Sequence, residues 1–107
     1  METTPRNVRE EIEHAIASNP VVLFMKGEPQ FPQCGFSAAA VKMLSDIGVR
    51  DYAFVNVLDD AQIREGIKTY SSWPTIPQLY VHQEFVGGAD IMRELHESGT
   101  LSQLIAR

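Results

Sequence analysis

The chain is poor in cysteine, in long apolar runs and in positive charge. Its single cysteine excludes an internal disulfide and with it the disulfide-stabilised secreted domains, which favours a reducing compartment. Its longest apolar run, residues 21–25, is far shorter than the about 20 residues that a membrane-crossing helix needs, so we expect no membrane span. Nine basic against 14 acidic residues give a net charge of −5, which argues against nucleic acid and against an anionic membrane surface as partners.

The chain does contain enough apolar side chain for one folded unit. Hydrophobic residues make up 44% of its 107 residues. A chain of this length buries roughly two-thirds of the surface that it exposes when unfolded. We therefore predict a single domain over residues 1–107.

The spacing of apolar and turn-forming residues predicts nine elements in the order α-β-α-β-α-β-β-α-α. The predicted strands cover residues 21–25, 52–57, 78–82 and 84–86. Polar residues that can cap the helices precede four of them: Thr4 or Asn7, Asp59 or Asp60, Asp90, and Thr100 paired with Gln103. Since a β-α-β crossover is right-handed, we expect an α/β fold in which a four-stranded mixed sheet is flanked by helices on both faces.

Cys34 is the first candidate functional residue. It opens the second predicted helix, where free backbone N–H groups and the helix dipole stabilise a thiolate. Lys26, across the preceding loop, adds positive charge near the sulfur. We therefore predict a lowered thiol pKa and a reactive or metal-binding thiol. The alternative is a buried cysteine that packs as a small apolar side chain.

Ser37 stands where a dithiol redox enzyme has its second, resolving cysteine, in the segment Cys34-Gly35-Phe36-Ser37. A redox cycle would therefore have to use a thiol from outside the chain. An unpaired thiolate is equally suited to bind a soft metal. Ser37 is alternatively a residue of the first helical turn whose hydroxyl accepts a backbone N–H.

Three further features are ambiguous when each is taken alone. Pro77 could follow a cis peptide bond, although an ordinary trans proline is more common. Gly87-Gly88-Ala89-Asp90 could let a ligand approach the backbone at a helix start, or could be an ordinary turn. Lys26 and Arg64 are relevant only if the fold brings them to the same cleft as Cys34.

The remaining candidates carry no chemistry of their own. His14, His82 and His96 have no zinc-binding spacing, and we predict that all three are surface residues. We interpret Trp73 and the phenylalanines as core or loop anchors.

Five segments taken together resemble the monothiol glutaredoxins of the CGFS type, in their single-domain form. They are Lys26-Gly27, Pro32, Cys34-Gly35-Phe36-Ser37, Trp73-Pro74-Thr75-Ile76-Pro77-Gln78 and Gly87-Gly88-Ala89-Asp90. They occur in the family's order and spacing, and the resemblance extends from about Val8 to Ile105. Some relatives carry a cysteine where this chain has Ala89, so a possible second protein thiol is missing here.

The resemblance implies a thioredoxin fold, a cis Pro77 and a cleft for glutathione. Lys26 and Arg64 would lie near its glycyl carboxylate. The Ile76 backbone would pair with the cysteinyl backbone of the tripeptide. Ala89 and Asp90 would hold the γ-glutamyl end. The full set of residues implied for binding glutathione is Lys26, Arg64, Ile76, Pro77, Gly88, Ala89 and Asp90.

The resemblance also implies an iron–sulfur carrier with 2Fe–2S and glutathione as its cofactors. Two chains would bridge one cluster, each supplying Cys34 and one bound glutathione, and these four thiolates meet the cluster's demand for ligands. The implied partners are a second copy of the chain in the cluster-bound state, a BolA-family protein and the apo iron–sulfur proteins that receive the cluster.

Two functions of other classes stay open beside the carrier. One is a glutathione-dependent monothiol oxidoreductase in which Cys34 is the catalytic residue that removes glutathione from mixed disulfides. The other is an inert interaction module, because a fold does not dictate a function. The predicted location is the cytoplasm, with an organelle matrix as the alternative if a transit peptide has been removed.

Overall fold

A computed structural model describes residues 5–107 of the chain. Eleven α-helices and β-strands follow one another in this part. They are α1 (Val8–Ser18), β1 (Val21–Met25), β2 (Gly27–Glu28), β3 (Phe31–Pro32), α2 (Gly35–Asp46), β4 (Ala53–Asn56), α3 (Ala61–Ser71), β5 (Gln78–Val81), β6 (Glu84–Gly87), α4 (Ala89–Glu97) and α5 (Thr100–Ala106). One short 3-10 helix (Val57–Asp59) lies between β4 and α3. None of these helices combines the length and the apolar character that crossing a membrane requires.

The central sheet is four-stranded and mixed, in the order β4-β1-β5-β6. Strand β1 runs parallel to β4 and antiparallel to β5, and β5 pairs antiparallel with β6. All five residues of β1 are buried, as expected for a central strand covered on both faces. The predicted architecture is therefore confirmed, including the parallel first pair and the antiparallel last pair.

The two faces of the sheet carry separate hydrophobic cores. Alternate residues of β1 point to opposite faces: Leu23 packs with α2, α4 and α5, whereas Phe24 packs with α1 and α3. Leu23 and Phe24 are at most 1% exposed, and full burial of such a side chain contributes about 1.5–3 kcal/mol. These two cores fix the end of β1 and the beginnings of α2 and α4 at the same end of the sheet, and they fix α3 beside it.

A short hairpin, β2–β3, occupies the segment that the sequence predicts as an irregular loop. Gly27 permits it because its φ is +91° and a Cβ there would lie 2.6 Å from the carbonyl oxygen of Phe31. Asn56 Oδ1, at the end of β4, accepts the N–H of Gly27 at 2.9 Å and that of Leu58 at 3.0 Å. The hairpin is therefore tied to the sheet, and it delivers the chain to the start of α2.

The helix caps agree only in part with the prediction. Asn7 and Asp60 cap α1 and α3 through their side chains, whereas the alternative cap at Thr4 lies outside the described residues. The predictions for Asp90 and Thr100 are wrong, because both lie inside their helices and Gly88 and Gly99 are the N-caps. Gly99 has a φ of +79°, so the chain turns sharply there and α5 begins without a capping side chain.

Among the histidines, His14 and His82 are exposed as predicted, but His96 is half-buried. Its Nε2 lies 3.9 Å from the Asp46 carboxylate at the end of α2. The prediction for His96 is therefore wrong, because packing of α4 against α2 covers a side chain that the sequence pattern assigns to the surface.

Candidate functional site

A cleft of about 360 Å³ opens at the end of the sheet where β1 ends and where α2 and α4 begin. Its walls come from five parts of the chain. They are Lys26 after β1, the start of α2, one face of α3, the loop before β5 and the start of α4. Its lining residues are Lys26, Cys34, Phe36, Arg64, Lys68, Trp73, Pro74, Thr75, Ile76, Pro77, Gly88, Ala89 and Asp90.

All eight residues predicted for the site line this one cleft. Lys26 and Arg64, which the sequence left as separate surface charges, are brought to the same cleft as Cys34. The two cations are therefore placed where they can act on a ligand bound beside Cys34. The roles assigned to the eight residues stay predictions.

Cys34 is the N-cap of α2 and is half-buried. The backbone N–H of Ser37, followed by that of Phe36, favours the charged form of the sulfur and lowers the pKa of the Cys34 thiol, although burial opposes this. The positive charge of Lys26 and the Ser37 hydroxyl make smaller contributions in the same direction. The predicted lowering of the pKa is confirmed, and the start of the helix contributes more to it than Lys26 does.

Ser37 connects the two segments that present Cys34 and Lys26. Its side chain is fully buried, and its Oγ accepts the backbone N–H of Lys26 at 3.0 Å. The serine therefore fastens the end of β1 to the first turn of α2. It accepts a backbone N–H, as one of the two interpretations expects, but from across the preceding loop rather than from its own helix.

The loop before β5 forms one wall of the cleft. It contributes Trp73, Pro74, Thr75, Ile76 and Pro77 to the lining, and the Ile76–Pro77 peptide bond is cis. The resemblance implies this isomer, and it is confirmed.

The start of α4 approaches this loop closely. A Cβ at Gly88 would lie 3.1 Å from Nε1 of Trp73 and 3.3 Å from the carbonyl oxygen of Pro77. Such distances are tighter than ordinary van der Waals contacts. Because glycine has no Cβ, the first turn of α4 can pack closely against the loop. Asp90, in the first turn of α4, is exposed at the cleft.

The charges around the cleft are unequal. Lys26, Arg64 and Lys68 face one carboxylate, that of Asp90, in a chain whose net charge is −5. The cleft is thus locally cationic on one side and anionic at the start of α4. This arrangement suits a small ligand that carries carboxylates and an ammonium group.

Known proteins are similar to this chain in sequence and in fold. The family model described as Glutaredoxin matches residues 21–86. The chain is 57% identical over 99 residues to monothiol glutaredoxin-5, mitochondrial, of Lachancea kluyveri, covering 91% of this chain and 69% of that protein. It is 54% identical over 100 residues to the Saccharomyces cerevisiae protein of the same name, covering 92% and 67% respectively. The chain belongs to the glutaredoxin family, among its monothiol members.

A solved structure gives the same result for the fold. The reduced apo form of poplar GrxS14 superposes with a TM-score of 0.79 and 43% identity, over 92% of this chain and 90% of that one. The sheet described above is therefore the thioredoxin-type sheet of the glutaredoxins, and the predicted fold is confirmed.

Sequence reasoning missed Lys68 as a residue of the glutaredoxin cleft. Lys68 lies four residues after Arg64 on α3, so the two side chains share one face of that helix. The i, i+4 spacing of two cations was therefore the available signal. Lys68 is also 3.5 Å from the carboxylate of Glu65 on the outer side of the helix.

The interpretation of all phenylalanines as core or loop anchors is wrong for three residues, of which Phe54, on the edge strand β4, is 39% exposed. The other two are near Cys34 in the sequence. Phe31, in the β2–β3 hairpin, is 72% exposed, and Phe36, in the first turn of α2, is 63% exposed. The short hairpin and the helix start lie at the rim of the fold, where no element packs over these rings. Phe24, by contrast, is in the core as expected.

The lowered pKa predicts how fast Cys34 reacts at different pH values. We expect the alkylation rate of the thiol by iodoacetamide to reach half its maximum at a pH below about 8.5, the ordinary pKa of a cysteine thiol, because the thiolate is the nucleophile. The Lys26→Met variant should still show a midpoint below that value, since the N–H groups of α2 contribute most. A midpoint at or above about 8.5 in the unaltered protein would contradict the helix-start argument.

Proposed function

We propose that this glutaredoxin carries a 2Fe–2S cluster as cargo, held between two copies of the chain. Cys34 of each copy and the thiol of one glutathione bound to each copy would be its ligands. The observation that carries the proposal is the position of the only cysteine in the chain, with its thiolate favoured, at the edge of a cleft whose charges fit glutathione.

Glutathione fits the charge distribution of the cleft. The tripeptide has a carboxylate at its glycyl end and a carboxylate with an ammonium group at its γ-glutamyl end. Lys26 and Arg64 would bind the first carboxylate, while Asp90 would attract the ammonium group and the N–H groups at the start of α4 would favour the second carboxylate. The thiol between them would then lie toward Cys34.

The number of thiolate ligands that a 2Fe–2S cluster needs is compatible with one cysteine in each chain. A 2Fe–2S cluster takes four thiolates, whereas each chain supplies one. Two chains and two glutathione molecules supply all four. Two of the four ligands are small molecules that can dissociate, which suits a protein that delivers its cluster to apo iron–sulfur proteins. A BolA-family protein in place of the second copy remains part of the proposal.

The location belongs to the proposal as well. The two relatives described above carry the word mitochondrial in their names. They support an organelle matrix, the alternative to the predicted cytoplasmic location.

The lowered thiol pKa also favours a second candidate function, a glutathione-dependent oxidoreductase. The Cys34 thiolate would attack the glutathione sulfur of a protein–glutathione disulfide and release the protein thiolate. A glutathione thiolate would then reduce the resulting Cys34–glutathione disulfide, giving oxidised glutathione. With no resolving cysteine, such an enzyme needs external glutathione for every cycle.

The state of association tests the carrier directly. We expect protein reconstituted with iron, sulfide and glutathione in the absence of oxygen to absorb in the visible range and to elute as a dimer. Protein without cluster should elute as a monomer, because shared ligation supplies the association energy. A colourless protein after reconstitution, or a cluster-free dimer of equal stability, would contradict the proposal.

A further inference from the structure

The buried side chain of Gln78 has no part in the site as described so far. Gln78 is the first residue of β5 and is 0% exposed. Its Nε2 donates to the backbone carbonyls of Trp73 and Thr75, both at 3.1 Å. Its Oε1 accepts the hydroxyl of Tyr80 at 3.4 Å. Both ends of the amide are therefore occupied inside the protein.

The two carbonyls belong to the loop before β5, which forms one wall of the cleft that Cys34 also lines. Pro74 and Pro77 supply no backbone N–H, so this loop cannot be held by a regular ladder of hydrogen bonds. The N–H of Trp73 donates to the carbonyl of Lys68 at 3.2 Å, which secures only the beginning of the loop. The Gln78 amide secures its middle, directly before Ile76.

We propose that Gln78 is a positioning residue for glutathione, on the basis of the proposed function above. By holding the carbonyls of Trp73 and Thr75 at a fixed separation, its amide sets the direction in which the Ile76 backbone faces the cleft. One of the two carbonyls belongs to Trp73, whose indole Nε1 lies close to Gly88 at the start of α4. One buried side chain thus holds the cis-proline wall, including the backbone of the tryptophan that packs beside the helix start that would bind the γ-glutamyl end.

Removing the amide leaves the two carbonyls without this donor. The contacts that hold these carbonyls are partly buried, so without the donor the carbonyls gain more by turning toward water, and the loop would relax. Glutathione would then bind only the fraction of molecules whose loop has the original conformation, and the apparent dissociation constant rises by the inverse of that fraction. The expected loss is about tenfold, which corresponds to a competent fraction of about one-tenth.

The test uses the Gln78→Met variant, because methionine is similarly long and unbranched but has no amide. Glutathione affinity is measured by calorimetry on cluster-free protein, and the emission of Trp73, the only tryptophan, is recorded without ligand. We expect about tenfold weaker binding and a shift of the emission to longer wavelength. Binding within twofold of the unaltered protein, together with unchanged emission, would overturn the proposal.

Two control variants separate positioning from general loss of stability. Leu101→Ala opens a cavity in the core on α5, which contributes no residue to the cleft. Tyr80→Phe removes only the hydroxyl that donates a hydrogen bond to Oε1 of Gln78. Both should bind glutathione as the unaltered protein does, although Leu101→Ala is less stable to heat. Equal weakening by Leu101→Ala would show that Gln78 acts through stability alone and would overturn the proposal.

A measurement on the unaltered protein decides the question if Gln78→Met does not fold. The side-chain amide protons of Gln78 should exchange with solvent much more slowly than those of Gln83, which is exposed. Exchange as fast as that of Gln83 would overturn the proposal. If the unaltered protein binds no glutathione, the proposed ligand is wrong, whereas slow exchange of Gln78 and the emission of Trp73 would still report whether the amide holds the loop.

Discussion

The Cys34→Ser variant should lose cluster binding completely while keeping its fold and its thermal stability. A hydroxyl is a poor ligand for iron in a sulfide cluster, and the chain has no other cysteine to replace the thiolate. Cys34 is the N-cap of α2, a position where serine is a preferred residue. The melting temperature should therefore stay equal or rise slightly, so that the loss of visible absorption cannot be attributed to unfolding.

A relocated thiol is the matched control for this variant. Ser102 lies on the exposed side of α5, outside the cleft, so the double variant Cys34→Ser, Ser102→Cys has the same number of thiols as the unaltered chain. We expect it to remain without cluster after the same reconstitution. Normal absorbance in either variant would remove Cys34 as the ligand. In the single variant no protein thiol would then be needed, and in the double variant a thiol at a surface position would be sufficient.

Removing the positive charges of the cleft should produce the second large effect. A charge-assisted hydrogen bond to a carboxylate contributes about 1.5–3 kcal/mol, so Lys26→Met and Arg64→Met should each need roughly 10- to 150-fold more glutathione to hold the cluster. Both side chains are half-buried, so salt screens them less than it screens fully exposed charges. The glutathione concentration that retains half of the absorbance is the quantity to measure.

Lys42→Met is the control for charge itself. Lys42 is 76% exposed on α2 and pairs with Asp46, and it does not line the cleft. It changes the net charge by the same amount as the two cleft variants and should leave the glutathione requirement unchanged. If all three variants behave alike, Lys26 and Arg64 act only through the overall charge of the protein, and the assignment of the glycyl carboxylate is wrong.

The two large effects separate the two candidate functions when they are combined with an activity assay. Both the carrier and the oxidoreductase need Cys34 and the cationic side of the cleft. Only the carrier needs two copies of the chain at once. A protein that removes glutathione from disulfides rapidly as a monomer, and that never forms a coloured dimer, would favour the oxidoreductase.

Much of the fold could be predicted from local patterns. The fully apolar run of β1 predicted a central strand, and Ile63, Ile67 and Tyr70 predicted the inner face of α3; the structure confirms both. The caps at Asp90 and Thr100 were predicted wrongly, because the helices already begin after the N-caps Gly88 and Gly99. The β2–β3 hairpin was missed because two-residue strands have no periodicity, and they depend on Asn56 from a distant strand.

The sequence by itself determined the chemistry that this protein offers: one thiol, no internal disulfide partner, and a helix start at Cys34 that lowers the thiol pKa. These properties are local, because they depend on composition and on backbone groups within one turn of the sulfur. Only the tertiary structure decided that Lys26, Arg64 and Asp90 share a cleft with Cys34 and that Lys68 joins them. It also decided that Ser37 and Gln78 are buried holding residues. Contacts between residues far apart in the chain arise from the packing of two cores on one sheet, which no local pattern encodes.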